Sequence, residues 1–157
     1  MNDADIATHE DPVWMAQANF IIVADLSDHG MQGRLEQLWA RQLGEAEFMI
    51  CCIPFFTYGI ALGDRVLTSP REERRYIIED VRERSGRCVS RLWLKNVGEA
   101  GQVEIKDFIN EHHLLSEKYS KNLLALDVPE DPEVTERVRS FLQQFAGRHG
   151  ALIEKGA

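Results

Sequence analysis

Between Cys88 and the end of the chain, apolar periodicities follow one another in the order strand, helix, strand, strand, helix, strand. Few architectures accommodate that order. Each strand–helix–strand unit needs a right-handed crossover, so both helices fall on one face of a four-stranded antiparallel sheet. The second helix carries the clearest signal. Val134, Val138, Phe141, Leu142 and Phe145 recur at i, i+4, i+7, i+8 and i+11, one face of an α-helix. Asp131 stands where an N-cap accepts backbone amides, Pro132 suits the first helical position, and Gly147 and Gly150 close the element. Upstream, Ile105, Phe108, Ile109 and His112 mark the first helix, with Glu104 and Asp107 near its amino end. The strands are Cys88–Lys95, Leu114–Tyr119, Leu123–Val128 and Ala151–Glu154. The order reads as a ferredoxin-like βαββαβ sandwich, whose helix-free face either meets water or is covered by the amino-terminal strands, partial coverage being the expectation.

The covering material lies upstream. Phe20–Ala24 is a β-branched, apolar run and Phe48–Ile53 an apolar run read as a buried strand, the second stopped by Pro54, which has no amide to give a ladder. Ile60–Leu62, Arg65–Leu67 and Tyr76–Val81 are shorter extended pieces, separated by Gly63-Asp64 and by the polar loop Ser69–Glu73. Residues 34–43 fit both a helical face and a twisted strand. Short strands between turns imply a small, curved antiparallel sheet or partial barrel. The expected fold is therefore α+β. Residues 1–12 form an acidic disordered arm, 13–86 a strand-rich lobe and 87–157 the ferredoxin-like lobe, the two lobes packed as one unit.

Charge restricts the function. The chain of 157 residues has a formal net charge of −8. Residues 1–87 hold 9 arginines, no lysine and 15 acids, a net of −6; residues 88–157 hold 9 basic residues and 11 acids, a net of −2. A field of that sign repels nucleic acid and anionic lipid and favours a basic protein partner. No run approaches the roughly 18 apolar residues of a membrane span, and the amino terminus lacks a secretory pattern, so the expected location is cytoplasmic.

Catalytic and metal motifs are missing from the sequence. Adjacent Cys51 and Cys52 would point to opposite faces of a strand and cannot share a zinc ion; with Cys88 they are expected to be reduced and mostly buried. His112 and His113 diverge on a helix, and a strand start separates His113 from Glu117. There is no phosphate loop or nucleophile elbow. The Asp25, Asp28 and His29 cluster is what a strand-to-turn junction produces. The sequence reading is a non-enzymatic protein with no cofactor and no metal.

One set of motifs has a family likeness. Leu38-Trp39-Ala40, Ile53-Pro54-Phe55-Phe56, Gly59-Ile60-Ala61-Leu62-Gly63-Asp64, Ser85-Gly86 and Leu124–Pro129 together resemble an uncharacterised bacterial domain-of-unknown-function family over about residues 18–155. Some members resemble toxin-immunity proteins. The chain departs from the family at Leu114-Leu115, where others carry Gly-Cys. The resemblance implies an antitoxin-like protein that occludes a cognate bacterial toxin, the alternative being a small-molecule-sensing module of ferredoxin-like type. Two segments are candidate partner contacts: the acidic residues Glu72, Glu73, Glu79, Asp80 and Glu83, and the aromatic loop of Phe55, Phe56 and Tyr58. Pro54 also reads as a strand end, Phe55 and Phe56 as a plug between lobes, Trp39 as a core or interlobe aromatic, and Asp64 as an acceptor of turn amides.

Overall fold

A computed structural model describes residues 5–72 and 75–156. It is a mixed α+β fold with two sheets and two α-helices. The first sheet holds β1 (Ile6–Ala7), β2 (Phe20–Asp25), β3 (Leu35–Gln42), β4 (Glu47–Ile50), β5 (Arg65–Arg71) and β6 (Arg75–Glu83), in the order β1-β3-β2-β6-β5-β4. An additional β3–β4 pairing curls the last five into a closed barrel, joined by a parallel contact at Val23 and Ile77. Alternate residues fill it: Ile22 and Ala24, Leu38 and Ala40, Phe48 and Ile50, and Val66. Phe48 meets Phe20 and Tyr76 with ring centroids 5.0 and 5.7 Å apart.

The second sheet is antiparallel, ordered β10 (Leu152–Gly156), β7 (Cys88–Trp93), β9 (Leu123–Val128), β8 (Ser116–Ser120). Helices α1 (Glu99–Glu111) and α2 (Pro132–His149) pack on one face, burying Leu92, Leu94, Leu124 and Leu126 against Ile105, Phe108, Val138, Leu142 and Phe145. Asp131 caps α2 by accepting from Glu133 N and Val134 N, and Gly150 closes it at φ 71°. The opposite face, through Val89, Leu123 and Ala125, packs on Ile53, Phe55 and Ala61 from the barrel side. The period-2 reading of β7 and β9 holds on both faces.

One open alternative is settled and three local expectations change. Residues 34–43 resolve as strand: β2 pairs β3 from Phe20↔Ala40 to Asp25↔Leu35, so the apolar set is buried by the ladder and not by a helical stripe. Ser69–Arg71 is not a loop, because β5 runs to Arg71 and pairs Pro70 with Tyr76 near the hairpin tip. The strand expected over 48–53 ends at Ile50, and Ile60–Leu62 is buried without pairing. The arm expected to be disordered is docked from Asp5 onward: Ile6–Ala7 runs parallel to β3, and His9 is buried. Residues 1–4 of that arm, like Glu73, lie outside the described residues. The ordering force for the arm is the site described next.

Candidate functional site

The segment Ile53-Pro54-Phe55-Phe56-Thr57 has no regular structure and is buried between the barrel and the second sheet. Irregular backbone in a core needs a partner for each N–H and C=O, because an unmatched one costs about 1–3 kcal/mol. Charged side chains supply those partners. Glu36 lies on the barrel's inward face, opposite Ala24 and two residues before Leu38 on the same face. It accepts from Phe55 N (2.7 Å), Phe56 N (3.0 Å), Thr57 N (3.0 Å) and Thr57 Oγ1 (2.7 Å). Glu117, on β8, accepts from Ile53 N at 2.6 Å.

Arg91 meets the same loop from its carbonyl side. It is fully buried on β7, in one rung with Glu154 on β10, Ala125 on β9 and Glu117 on β8. Its Nε donates to Phe55 O (2.7 Å), and its Nη2 donates to Pro54 O and Thr57 O (3.0 Å each). The guanidinium lies 4.7 Å from the Tyr58 ring centroid, and the Tyr58 hydroxyl donates to Glu154 at 2.6 Å. Gly156 makes room for it, since a Cβ there would meet Nη1. The loop is thus held by carboxylates at its amides and a guanidinium at its carbonyls.

His9 completes the seam. Its Nδ1 bonds Glu117 and its Nε2 bonds Glu36, both at 2.7 Å, while its ring stacks on Phe55 at 4.2 Å and 7°. Both nitrogens face carboxylates, so both carry protons. Burial works against an imidazolium here, but the Cys52 sulfur and the Glu117 and Glu36 carboxylates outweigh it and push His9 up to about 12. Burial likewise opposes the Glu36 carboxylate, yet its bonds from His9, Phe55 and Thr57 hold it below the usual range. Burial pulls Arg91 down, countered chiefly by Glu36. Formally, His9 and Arg91 balance Glu36 and Glu117. Each charge in this seam is committed to backbone or to another charge, so the arrangement clamps two lobes and an amino-terminal segment together.

The expected aromatic contact segment divides. Phe55 is only 1% exposed, inside the seam, and cannot meet a partner; it is the plug, not the patch. Phe56 is half-buried against Tyr119, with ring centroids 4.9 Å apart, and Tyr58 is 38% exposed. Glu79, Asp80 and Glu83 are exposed along β6, and Glu72 is exposed just after β5. Arg71 pairs with Glu79 at 2.8 Å and Arg65 with Glu83 at 3.4 Å. Arg84 donates to Gly59 O at 2.9 Å, which sets the end of β6 beside the Tyr58 turn. Asp64 accepts from Ala61 N and Ser85 N, and Trp39 donates to His9 O. Cys51 and Cys52 are buried, whereas Cys88 is exposed.

Sequence reasoning missed His9, Glu36, Glu117 and Arg91 as a group. The available signal was parity: Glu36 shares the inward phase of Leu38 and Ala40, and Arg91 shares the phase of Val89 and Trp93. A charge at a core-facing position implies a buried partner.

A separate feature lies across the second sheet from this seam. A cavity of about 720 Å³ opens between α2, β7 and β10, lined by Val128, Val138, Leu142, Ala146 and Ile153, with Cys88, Arg139 and Lys155 among its other walls.

Comparison with known proteins adds family and fold. The family model for a domain of unknown function (DUF4265) matches residues 36–152, more than half of the chain. A solved structure titled "Novel crystal structure of a hypothetical protein from Neisseria gonorrhoeae" superposes with a TM-score of 0.63 at 16% identity, covering 88% of this chain and 96% of that one. At that identity the likeness concerns the fold alone. No curated protein matches.

Proposed function

The chain belongs to the DUF4265 family of domains of unknown function, and from that premise we propose that it acts by binding another protein, not by catalysis. The reading is of a cytoplasmic, immunity-type protein that neutralises a basic toxin by occlusion. One observation carries it. Glu79, Asp80 and Glu83 stand exposed on one strand whose end is tied beside the exposed Tyr58 turn, in a chain of net charge −8. Carboxylates along a strand that ends beside an aromatic anchor are a suitable surface for a basic partner, and complementary charge speeds association more than it deepens affinity. The arginines paired with Glu79 and Glu83 are exposed, and exposed ion pairs are worth about 0–1 kcal/mol, so a partner's lysines can displace them.

The test measures binding of the purified chain to the product of the adjacent gene. Association should be fast at low salt and slow down with ionic strength. Changing Glu79, Asp80 and Glu83 to lysine should reduce the association rate about tenfold or more. No complex, or an unchanged rate in the triple variant, overturns the reading.

A second reading is a small-molecule-sensing module built on a ferredoxin-like lobe. The cavity beneath α2 favours it, because its volume falls in the roughly 300–1,000 Å³ range of ligand sites. A metabolite that raises the melting temperature without any protein partner would support it, and a set of metabolites with no effect would end it.

A further inference from the structure

The cavity beneath α2 exists because small side chains stand where large ones are needed. On β7, Leu92 and Leu94 fill the space under the helices at one end of the sheet. At the other end the same phase is occupied by Cys88 and Ser90, with Lys155 opposite Ser90 on β10. Ala146 and Ala151 are the small residues contributed by α2 and the segment entering β10. The resulting slot has an apolar floor of Val128, Val138, Leu142 and Ile153.

Its charged walls have one sign. Among the described residues lining the cavity, the charged ones are Arg139 and Lys155, both cations, in a chain that is otherwise strongly acidic. Glu136, outside the lining, pairs with Arg139 and offsets one positive charge. A net of about one positive charge remains above an apolar slot.

We propose that this slot binds an amphipathic monoanion, a carboxylate on an unbranched apolar chain, with its head at Arg139 and Lys155 and its tail between Val138, Leu142 and Ile153. This deepens the small-molecule reading above and rests on it. The apolar tail fills the space that the small side chains leave, and the carboxylate takes the one positive charge that Glu136 leaves uncompensated.

Cys88 provides the readout. It is exposed and lines the slot, whereas Cys51 and Cys52 are buried, so a thiol reagent modifies the native protein at Cys88. Sodium decanoate should slow that modification by the factor 1 + [L]/Kd, about tenfold at roughly ten times Kd. Decanol, with the same tail and no charge, should protect less. Ala146→Trp, which fills the slot, should abolish protection with the urea midpoint unchanged. Lys155→Glu, at an exposed position, should weaken decanoate but not decanol, and it decides the matter if the tryptophan variant folds poorly. No slowing by decanoate overturns the proposal, as does equal protection by decanol. Protection that grows with protein concentration alone also overturns it, since the occupant is then a second copy. A melting-temperature rise with some other metabolite, lost in Ala146→Trp, rejects the amphipathic-anion class and leaves the small-molecule reading standing. No rise with any ligand rejects both.

Discussion

Glu36→Ala is the sharpest probe of the seam. The carboxylate receives five hydrogen bonds: from His9 Nε2, the amides of Phe55, Phe56 and Thr57, and the Thr57 hydroxyl. Two routes give the cost. Breaking a buried charged pair by removing one partner destabilises by about 3–5 kcal/mol. Alternatively, five orphaned donors at the low end of about 1 kcal/mol each give a similar sum, reduced if water enters the space left behind. Since domains of this size are stable by only about 5–15 kcal/mol, the variant should lose a large part of its stability. At roughly 2–4 °C per kcal/mol, the melting temperature should fall by about 6–20 °C. Urea unfolding followed by far-ultraviolet circular dichroism and tryptophan fluorescence should show a lower midpoint with an unchanged slope. His9→Ala should cost a comparable amount, and the double variant less than the sum by about 1 kcal/mol or more, because the second change removes a partner already lost. A loss below about 1 kcal/mol for Glu36→Ala would refute the argument that these charges satisfy the loop. Strict additivity with His9→Ala would refute their acting as a unit.

Three further outcomes are expected. First, stability should depend on pH in a defined window. His9 is raised in the folded state, so its contribution is complete below its unfolded value of 6.5 and drains as pH rises towards about 12. Glu36 is lowered, so its contribution is complete above 4.5 and is lost as pH falls. Asp127, raised by burial to about 6, acts in the opposite direction to Glu36: it costs stability as pH rises from 3.8 through that value. His9→Gln should therefore flatten the decline above pH 6.5 by up to about 1.4 kcal/mol per pH unit, and parallel urea profiles would refute this. Second, Phe145→Ala should cost about 3–5 kcal/mol, since the ring is fully buried, and the half-buried Phe141, stacked on Phe108 at 3.8 Å, should cost less. Equal losses in chemical denaturation would mean that α2 is rotated from its described position. Third, Asp131→Ala should cost about 0.5–2 kcal/mol by removing both cap bonds of α2, read from the same denaturation curves, and no loss would refute the cap.

The parts of the fold legible in the sequence are those where one period decides. Helix α2 combined a 3.6-residue stripe, a capping aspartate, a proline at the first turn and a closing glycine, and it runs from Pro132 to His149 as read, with Gly147 inside it and not at its end. The order of strands and helices after Cys88 was legible for the same reason. Residues 34–43 were not, because Leu35, Leu38, Trp39 and Leu43 satisfy two periods at once and only pairing with β2 chooses between them. The arm was misread because its composition is polar: Asp5, His9, Glu10 and Asp11 look like solvated chain. His9 is drawn in by two carboxylates that are 27 and 108 residues away, a distance over which local composition carries no information. The aromatic loop divided for a related reason. Phe55, Phe56 and Tyr58 look equivalent in sequence, and the hydrogen-bonded path of residues 53–57 turns one ring inwards while leaving Tyr58 outside.

A buried ion cluster can often be replaced by apolar residues of similar volume with no loss of stability, because desolvation cancels much of the Coulombic gain. That reasoning requires that the charges serve only one another. Here Glu36 and Glu117 accept the amides of Ile53, Phe55, Phe56 and Thr57, and Arg91 donates to the carbonyls of Pro54, Phe55 and Thr57. Apolar replacements would leave those seven backbone groups without partners inside the core. The cluster therefore belongs to the loop as much as to itself. The loop must stay irregular because Pro54 cannot donate to a ladder and the chain has to leave β4 and cross between two sheets. Its charges fix how the lobes sit against one another, and that placement is what brings the Tyr58 ring to Arg91 and its hydroxyl to Glu154, on the face of the second sheet opposite the slot under α2.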